Sequence, residues 1–176
     1  LKGMPVDYDS FVNLSKETGI TFISDSAESL GAEYKNNKVG SQAFASSFSF
    51  FANKNITTGE GGMITTDNKS LYKILTILRN QGQEGRYNHT KLGFNYRMTD
   101  IQAALGVEQM SRIETILNKK DKLAKIYTKN FQKIKKVKVP YLPSYVDKHS
   151  WYNYTISVNK NIRDNLINYL NEKGVE

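Results

Sequence analysis

The first third of the chain alternates between amphipathic and apolar segments, a pattern typical of α/β proteins. Residues 7–18 (DYDSFVNLSKET) carry acidic residues in the first turn and are followed by Gly19, so they predict a helix. Three short apolar or β-branched runs predict strands, namely ITFIS (20–24), SSFSFF (46–51) and GMITT (62–66). The first run is short, apolar and β-branched, which predicts a buried strand.

Polar segments separate these predicted strands. SAESLG (26–31) predicts a brief helical turn, and EYKNNKVGSQ (33–42) predicts a polar connection. A helix is expected from about 68 to 80, and the glycine-rich segment 81–98 predicts a loop.

The remainder of the chain is dominated by helical patterns. Thr99 and Gln102 have the spacing of a capping box, which predicts a long helix that runs with a break toward Phe131. Two prolines at 140 and 143 then predict a domain boundary. WYNYTISV (151–158) alternates like a half-buried strand, and NIRDNLINYLNEKG (161–174) predicts an amphipathic helix. Together these patterns predict an α/β domain with a partly parallel sheet, followed by the start of an α+β unit.

Composition narrows the class of protein. A hydrophobic content of 39% suffices for a packed core, and 176 residues suit one domain or one domain with part of a second. The chain has no cysteine, and His89 and His149 lack metal-ligand spacing, so we assign both, with Trp151, to packing or to an interface. There is no apolar run of about 18 residues and no signal-like start, so we expect a cytoplasmic protein without membrane contact.

The net charge of +8 raises the question of nucleic-acid binding. The positive charge is concentrated in residues 118–139, where apolar residues recur at helical intervals. These apolar residues are Leu117, Leu123, Ile126, Tyr127, Phe131 and Ile134. The pattern favours the solvated face of an amphipathic helix over a nucleic-acid surface, although the positive charge also suits anionic small molecules such as phosphates.

One lysine, Lys54, lies in an unusually uncharged setting, between SFSFFAN and NITTGEGG. An aldehyde cofactor such as pyridoxal phosphate requires an amine, a carboxylate at its pyridine nitrogen, and hydroxyls or amides around its phosphate. Asp25 ends one predicted strand, Ser49 lies on the next, and Lys54 follows it. Because α/β sites form outside the carboxyl ends of strands, these groups are expected to meet in one crevice.

Each candidate also has a purely structural interpretation. Asp25 is a suitable cap for a short helix beginning at Ser26, and Glu28 suits the first turn of such a helix. Ser49 is an ordinary strand residue on this interpretation, and Asn95 stabilises its loop through backbone hydrogen bonds. Glycines 59, 61 and 62 would then serve only to form a turn.

Several long motifs, in order, resemble the DegT/DnrJ/EryC1/StrS family of sugar aminotransferases. They are DSAESLGA (25–32), VG (39–40), SFFANKNITTGEGGM (49–63) and LGFNYRMTDIQAALGVEQ (92–109), and the flanking KGMPVD and HSWYNYTI also fit. The resemblance extends over essentially the whole chain. Four ordered blocks are far more specific than one glycine-rich turn.

The resemblance implies a fold-type I pyridoxal phosphate enzyme that works as a homodimer, with its sites at the subunit interface. It implies that Lys54 binds the cofactor covalently and later moves protons between substrate and cofactor carbons. Asp25 is implied to pair with the pyridine nitrogen, and Glu28 to lie near the ring or its phenolic oxygen. Ser49 is implied to bind the phosphate, and Asn95 to reach the phosphate of the neighbouring subunit.

The implied reaction moves an amino group from glutamate to a keto group of a nucleotide-linked deoxysugar, for polysaccharide or amino-sugar biosynthesis. The SFFxNKxITTGEGG and DxAE patterns are most similar to the perosamine synthase branch, which implies a GDP-linked 4-keto-6-deoxymannose. Some relatives act as dehydratases and carry histidine in place of the lysine, so Lys54 indicates an aminotransferase. Nucleic acid is not an expected partner.

The resemblance further implies that residues 1–118 form part of the large cofactor-binding domain, with a mostly parallel sheet and flanking helices. Residues 119–176 are then a linking helix and the beginning of a small α+β domain. Family members are longer, so the chain is expected to be an internal fragment. Two alternatives follow: a truncated remnant that folds and oligomerises without turnover, and, as a weaker one, a basic nucleic-acid-binding module.

Overall fold

The computed structural model describes residues 1–175 and confirms an α/β fold. Its helices are α1 (Tyr8–Thr18), α2 (Lys69–Arg79), α3 (Asp100–Ser111), α4 (Ile113–Phe131) and α5 (Lys160–Glu172). Its strands are β1 (Ile23–Asp25), β2 (Glu33–Tyr34), β3 (Asn37–Lys38), β4 (Ala45–Ser49), β5 (Gly62–Thr65), β6 (Val137–Lys138), β7 (Val146–Lys148) and β8 (Ser157–Val158). None of these helices is long and apolar enough to cross a lipid bilayer.

The central sheet has the strand order β1-β4-β5 and is mixed. Strand β1 pairs in parallel with β4, and Asp25 lies opposite Ser47. Strand β5 pairs antiparallel with β4, and Gly62 lies opposite Ser49. Because β1 and β4 are parallel, their carboxyl ends lie at one edge of the sheet, which brings the predicted site residues on these strands to the same side.

A second, antiparallel sheet joins distant parts of the chain in the order β3-β2-β7. Residues 33–42, predicted as a polar connection, instead contain the hairpin β2–β3, in which Lys35 and Asn36 take positive φ angles. This part of the prediction was wrong because the strands are only two residues long, too short for an alternating pattern. Strand β7 adds to β2 and so brings the late segment of the chain back to its first half.

The hydrophobic core lies between α1, the central sheet, the β2–β3 hairpin and the start of α4. Its most buried large side chains include Tyr8, Tyr34, Ile56 and Leu117. Gly31 allows the closest contact, because a Cβ atom there would lie 2.4 Å from a methyl carbon of Leu117, and its φ is +80°. Helix α4 is thereby packed against the turn that follows β1.

The helical predictions are largely confirmed. Helix α1 ends at Gly19, which has a φ of 70°, and the break predicted in the long helix falls at Arg112 between α3 and α4. The capping box is present, since Thr99 accepts a hydrogen bond from the backbone N–H of Gln102. The predicted buried stripe of α4 is only partly observed. Leu117 is buried, whereas Leu123, Ile126 and Tyr127 are exposed, as is Ile134 just beyond the end of α4.

Two strand predictions need correction. The strand predicted at 20–24 lies at Ile23–Asp25, and Ile23 is 63% exposed, so β1 is not buried on both faces. Within residues 1–175 it pairs only with β4. In the segment 151–158 only Ser157–Val158 is a strand, and Trp151 takes a left-handed conformation (φ 46°) at the start of the segment.

Candidate active site

The loop from Phe50 to Gly61 presents Lys54 at the edge of the central sheet. The loop is closed at its base, where the backbone N–H of Phe50 donates to the carbonyl of Gly61 and the N–H of Thr58 donates to the carbonyl of Phe50, each at 2.9 Å. The backbone N–H of Lys54 donates to the carbonyl of Phe51 at 3.0 Å, which forms a tight turn at the tip. Lys54 is therefore held on a loop of defined shape.

Asp25 is the last residue of β1 and is exposed at the same edge of the sheet. Its carboxylate Oδ1 accepts a hydrogen bond from the backbone N–H of Ala27 at 3.0 Å. The helix expected to start at Ser26 is not formed, and residues 26–31 are a series of turns instead. Asp25 therefore caps no helix, and its carboxylate makes one local hydrogen bond across a turn.

A groove of about 420 Å³ brings three of the predicted residues together. Asp25, Glu28 and Lys54 all line it. The remaining walls are largely apolar and include Val6, Phe11, Phe22 and Ile23. Its volume and its mixture of apolar walls with a few charged groups are typical of small-molecule sites.

Ser49 lies in a recess that shares Glu28 and Lys54 with this groove. Its Oγ accepts a hydrogen bond from the backbone N–H of Phe51 at 3.3 Å, and its side chain is half-buried. Ser49 is the last residue of β4, and the Lys54 loop and the turn after β1 converge at this strand end.

Asn95 is not brought to the groove. It is exposed in the segment after α2 and pairs as an isolated bridge with Asn80. The side chain of Asn80 in turn accepts a hydrogen bond from the Arg97 guanidinium. The structure thus brings together Asp25, Glu28, Ser49 and Lys54, and places Asn95 apart from them on the same chain.

The Lys54 amine faces an aromatic ring. Its Nζ lies 4.6 Å from the centre of the Tyr152 ring, which also lines the recess of Ser49. Within residues 1–175 no carboxylate forms an ion pair with this amine. The lysine side chain is half-buried, so the ring covers part of it from solvent.

Tyr152 belongs to residues 149–154, which we call the aromatic strap. Sequence reasoning assigned His149 and Trp151 to packing, and their rings are indeed buried and stacked at 4.0 Å. It did not identify Tyr152, Ser150 or Asn55 as neighbours of the lysine. The HSWYNYTI motif was visible in the sequence, but nothing in its spacing indicated which of its side chains turns toward Lys54.

The strap is attached to the residue next to Lys54. The Asn55 amide nitrogen donates to the carbonyl of Ser150 at 2.9 Å, and both residues are buried. The Asn55 amide oxygen is buried without a hydrogen-bond partner among the described residues.

His149 is neutral in this setting. Burial lowers its pKa from the usual 6.5 to about 4. The backbone N–H of Trp151 donates to the His149 Nδ1 at 2.8 Å, which requires that nitrogen to carry no proton. The histidine therefore acts as a structural acceptor that fixes the start of the strap.

The side chains around the groove fit a pyridoxal phosphate group. The Lys54 amine, which has no ion pair among the described residues, the exposed Asp25 carboxylate and the Ser49 hydroxyl lie within one groove and its adjoining recess. These are the donor and acceptor types that an aldehyde cofactor with a ring nitrogen and a phosphate requires.

Comparisons with known proteins agree with this chemistry. The sequence profile of the DegT/DnrJ/EryC1/StrS aminotransferase family matches residues 1–176. The chain is 37% identical to a GDP-perosamine synthase of Escherichia coli O157:H7 over 100% of its length and 48% of the relative's. It is 36% identical to a GDP-perosamine synthase of Caulobacter vibrioides, and this match covers 100% of the present chain and 49% of the relative. Helicobacter pylori PseC, an aminotransferase involved in the biosynthesis of pseudoaminic acid, superposes with a TM-score of 0.92 at 31% identity, covering 98% of this chain and 48% of that one. The chain thus spans about half the length of the curated relatives it matches.

Proposed function

Because the chain belongs to the DegT/DnrJ/EryC1/StrS aminotransferase family, we propose that it carries the cofactor-binding residues of a pyridoxal phosphate-dependent sugar aminotransferase. The proposed acceptor is a GDP-linked 4-keto-6-deoxymannose-like sugar, and the proposed amino donor is glutamate. Relatives named GDP-perosamine synthase support the GDP-linked sugar. Relatives named as transaminases of a UDP-linked amino sugar support the wider class of nucleotide sugars.

One observation supports this proposal most directly. The Asp25 carboxylate, at the end of β1, and the Lys54 amine, on the loop after the parallel strand β4, line the same groove. An isolated lysine motif would be compatible with many functions. An amine and a carboxylate in one groove of suitable volume are the two groups that a pyridoxal enzyme requires.

When bound, pyridoxal phosphate supplies a ring that accepts electrons from the substrate carbon. Lys54 Nζ would attach the cofactor and, once released, take and return the proton at the reacting carbon. The Asp25 carboxylate would keep a proton on the pyridine nitrogen. Ser49 Oγ would donate to a phosphate oxygen, and Glu28 would lie beside the ring.

Asn95 is proposed to act in a homodimer. It is exposed and outside the groove of its own chain. That position is compatible with donation of its amide to the phosphate bound by a second copy. We further propose that residues 1–118 belong to the large domain and 119–176 to a linking helix and the start of a small domain. Helix α4 crosses this division, as a linking helix would.

The test of the proposed function is to mix the chain with pyridoxal phosphate, reduce with borohydride, and map the modified peptides by mass spectrometry. We expect selective modification of Lys54 over exposed lysines such as Lys69. The Lys54→Arg variant, which keeps the charge, should lose this modification while its helical circular dichroism is unchanged. Modification scattered over many lysines, with no preference for Lys54, would contradict the proposal.

A second candidate function is a protein that folds and associates without turnover. The observation that favours it is the exposed apolar surface of the central sheet, which includes Ile23, Met63 and Ile64. Incubation with glutamate and a GDP-linked keto sugar separates the two. Formation of the amino sugar, detected by mass spectrometry, would exclude the inactive alternative. Selective modification of Lys54 without turnover would favour it.

A further inference from the structure

We propose that Tyr152 is a positioning residue that holds the Lys54 amine at the site through its aromatic face. This inference rests on the proposed function, in which Lys54 is the reactive amine. The ring centre lies 4.6 Å from Lys54 Nζ, within the distance at which an ammonium is attracted to an aromatic face. Tyr152 is half-buried and lines the recess that also contains Glu28 and Ser49.

The aromatic strap is anchored by the fully buried Ser150. The Ser150 carbonyl accepts a hydrogen bond at 2.9 Å from the side-chain amide of Asn55, the residue that directly follows Lys54. Its Oγ donates to the carbonyl of Glu28 at 3.0 Å, which attaches the strap to the turn after β1. Its backbone N–H donates to the carbonyl of Gly3 at 2.9 Å. Three separate segments therefore hold the residue two positions before Tyr152.

Gly3 permits this close approach. A Cβ atom there would lie 2.6 Å from the backbone nitrogen of Tyr152 and 2.8 Å from Ser150 Oγ. Its φ of +103° also lies in the region that favours glycine. Backbone contacts at Gly3 therefore determine the path of the strap, independently of the Tyr152 side chain.

Trp151 directs the next residue toward the lysine. It takes a left-handed conformation, with φ at 46°, which an L-residue adopts only when its surroundings hold it there. Helix α4 provides these restraints, since the indole N–H donates to Asp121 Oδ1 at 3.2 Å and Lys120 Nζ donates to the Trp151 carbonyl at 3.3 Å. The turned backbone places Tyr152 over Lys54 and not along an extended strand.

An aromatic face suits a lysine that must both stay in place and react. A buried carboxylate partner would hold the ammonium more strongly and would be left unpaired when the amine lost its charge. The ring attracts the ammonium, yet remains satisfied as an apolar wall when the charge is gone. Tyr152 therefore orients the amine without a charge that opposes its reaction.

The experiment measures the reactivity of Lys54 without any cofactor. The folded chain is first treated with a trace of acetic anhydride. It is then unfolded in denaturant and fully acetylated with isotopically heavy acetic anhydride. Mass spectrometry measures the ratio of light to heavy acetyl groups at each lysine. In Tyr152→Leu, we expect the rate at Lys54 to rise about two- to fivefold relative to exposed Lys69, the range expected for loss of one cation–π contact. Tyr152→Phe keeps the ring and should retain the wild-type rate. Tyr141→Leu, at an exposed tyrosine, is the matched control and should change nothing.

Three results would overturn the inference. The first is an unchanged Lys54 rate in Tyr152→Leu. The second is an equal rise in Tyr152→Phe, because the hydroxyl and not the ring would then be responsible. The third is a parallel rise at Lys120, which contacts the Trp151 carbonyl, because the whole strap would then have detached. If Tyr152→Leu fails to fold, Tyr152→Met, a flexible apolar side chain that fills irregular space, takes its place with the same expected rise at Lys54. Since no pyridoxal phosphate is present, failure here is distinct from failure of the borohydride test.

Discussion

The hydroxyl residues of the Lys54 loop bond mainly to the loop's own backbone. Thr57 Oγ1 donates to the Phe50 carbonyl at 3.2 Å and accepts from the Gly59 N–H at 2.9 Å. Thr58 Oγ1 donates to the carbonyl of Glu60 at 2.7 Å. Gly59 has a φ of +78°, so the interpretation of this glycine as a turn former is confirmed. The TTGEGG motif thus shapes the loop, and Lys54 is the residue that the shape presents.

At the same scale, His149 predicts a specific dependence of stability on pH. Its pKa is about 4 in the folded chain and near 6.5 when unfolded, so between these values the unfolded state binds more protons. Stability from this residue is therefore present at pH 7 and is lost as the pH falls through 6.5 toward 4. Between pH 7 and 5 we expect the wild type to lose about 2 kcal/mol more free energy of unfolding than His149→Asn.

Urea unfolding at both pH values measures this difference. The control is Thr90→Ala, at an exposed residue that does not titrate, which should keep the wild-type dependence on pH. Equal losses in the wild type and His149→Asn would show that His149 is not held neutral by the fold.

At the scale of elements, helix α3 is joined to the Lys54 loop at its first turn. The Gln102 amide, which belongs to the capping box, also donates to the carbonyl of Glu60 at 3.0 Å. The cap at Thr99 therefore stabilises the start of α3 and also orients the Gln102 side chain, which bonds to the Lys54 loop.

Thr99→Ala is expected to lower the free energy of unfolding by about 1 kcal/mol, because it leaves a helix N–H without its acceptor. Urea unfolding at pH 7 measures the effect. Thr90→Ala, at an exposed threonine in the preceding loop, should change stability by less than about 0.5 kcal/mol. A loss no larger than that of Thr90→Ala would mean that the cap is dispensable once α3 is packed.

Helices were predicted more accurately than strands, and the reason is physical. Gly19, Asn68 and Thr99 mark helix ends through hydrogen bonds and φ angles within a few residues. A strand is completed by partners that are distant in sequence, and β2 pairs with β7 from the other end of the chain. The two residues of β2 are too few to show a periodic pattern in the sequence.

At the scale of the whole molecule, the central sheet exposes apolar side chains. Met63 is 54% exposed and Ile64 is 51% exposed on the edge strand β5. Exposed apolar surface on an edge strand promotes association. This agrees with the proposal of a homodimer.

We expect sedimentation velocity to show an associated species for the wild type, and Ile64→Lys and Met63→Lys to shift it toward the monomer. Ser70→Lys adds the same charge at an exposed polar position of α2 and should not shift it. A wild-type chain that sediments as a monomer at all concentrations would contradict the prediction, as would lysine variants that associate unchanged.

By itself, the sequence determined the local features: the helix ends, the glycine loop, and the chemical groups at Asp25, Glu28, Ser49 and Lys54. These follow from short-range hydrogen bonds and from side-chain chemistry, which a linear pattern contains. Only the tertiary structure decided that Ser150 bonds to Asn55 and that Tyr152 covers the lysine amine. Such contacts depend on the parallel pairing of β1 with β4 and on the turn at Trp151 that α4 restrains, and packing between distant segments determines both.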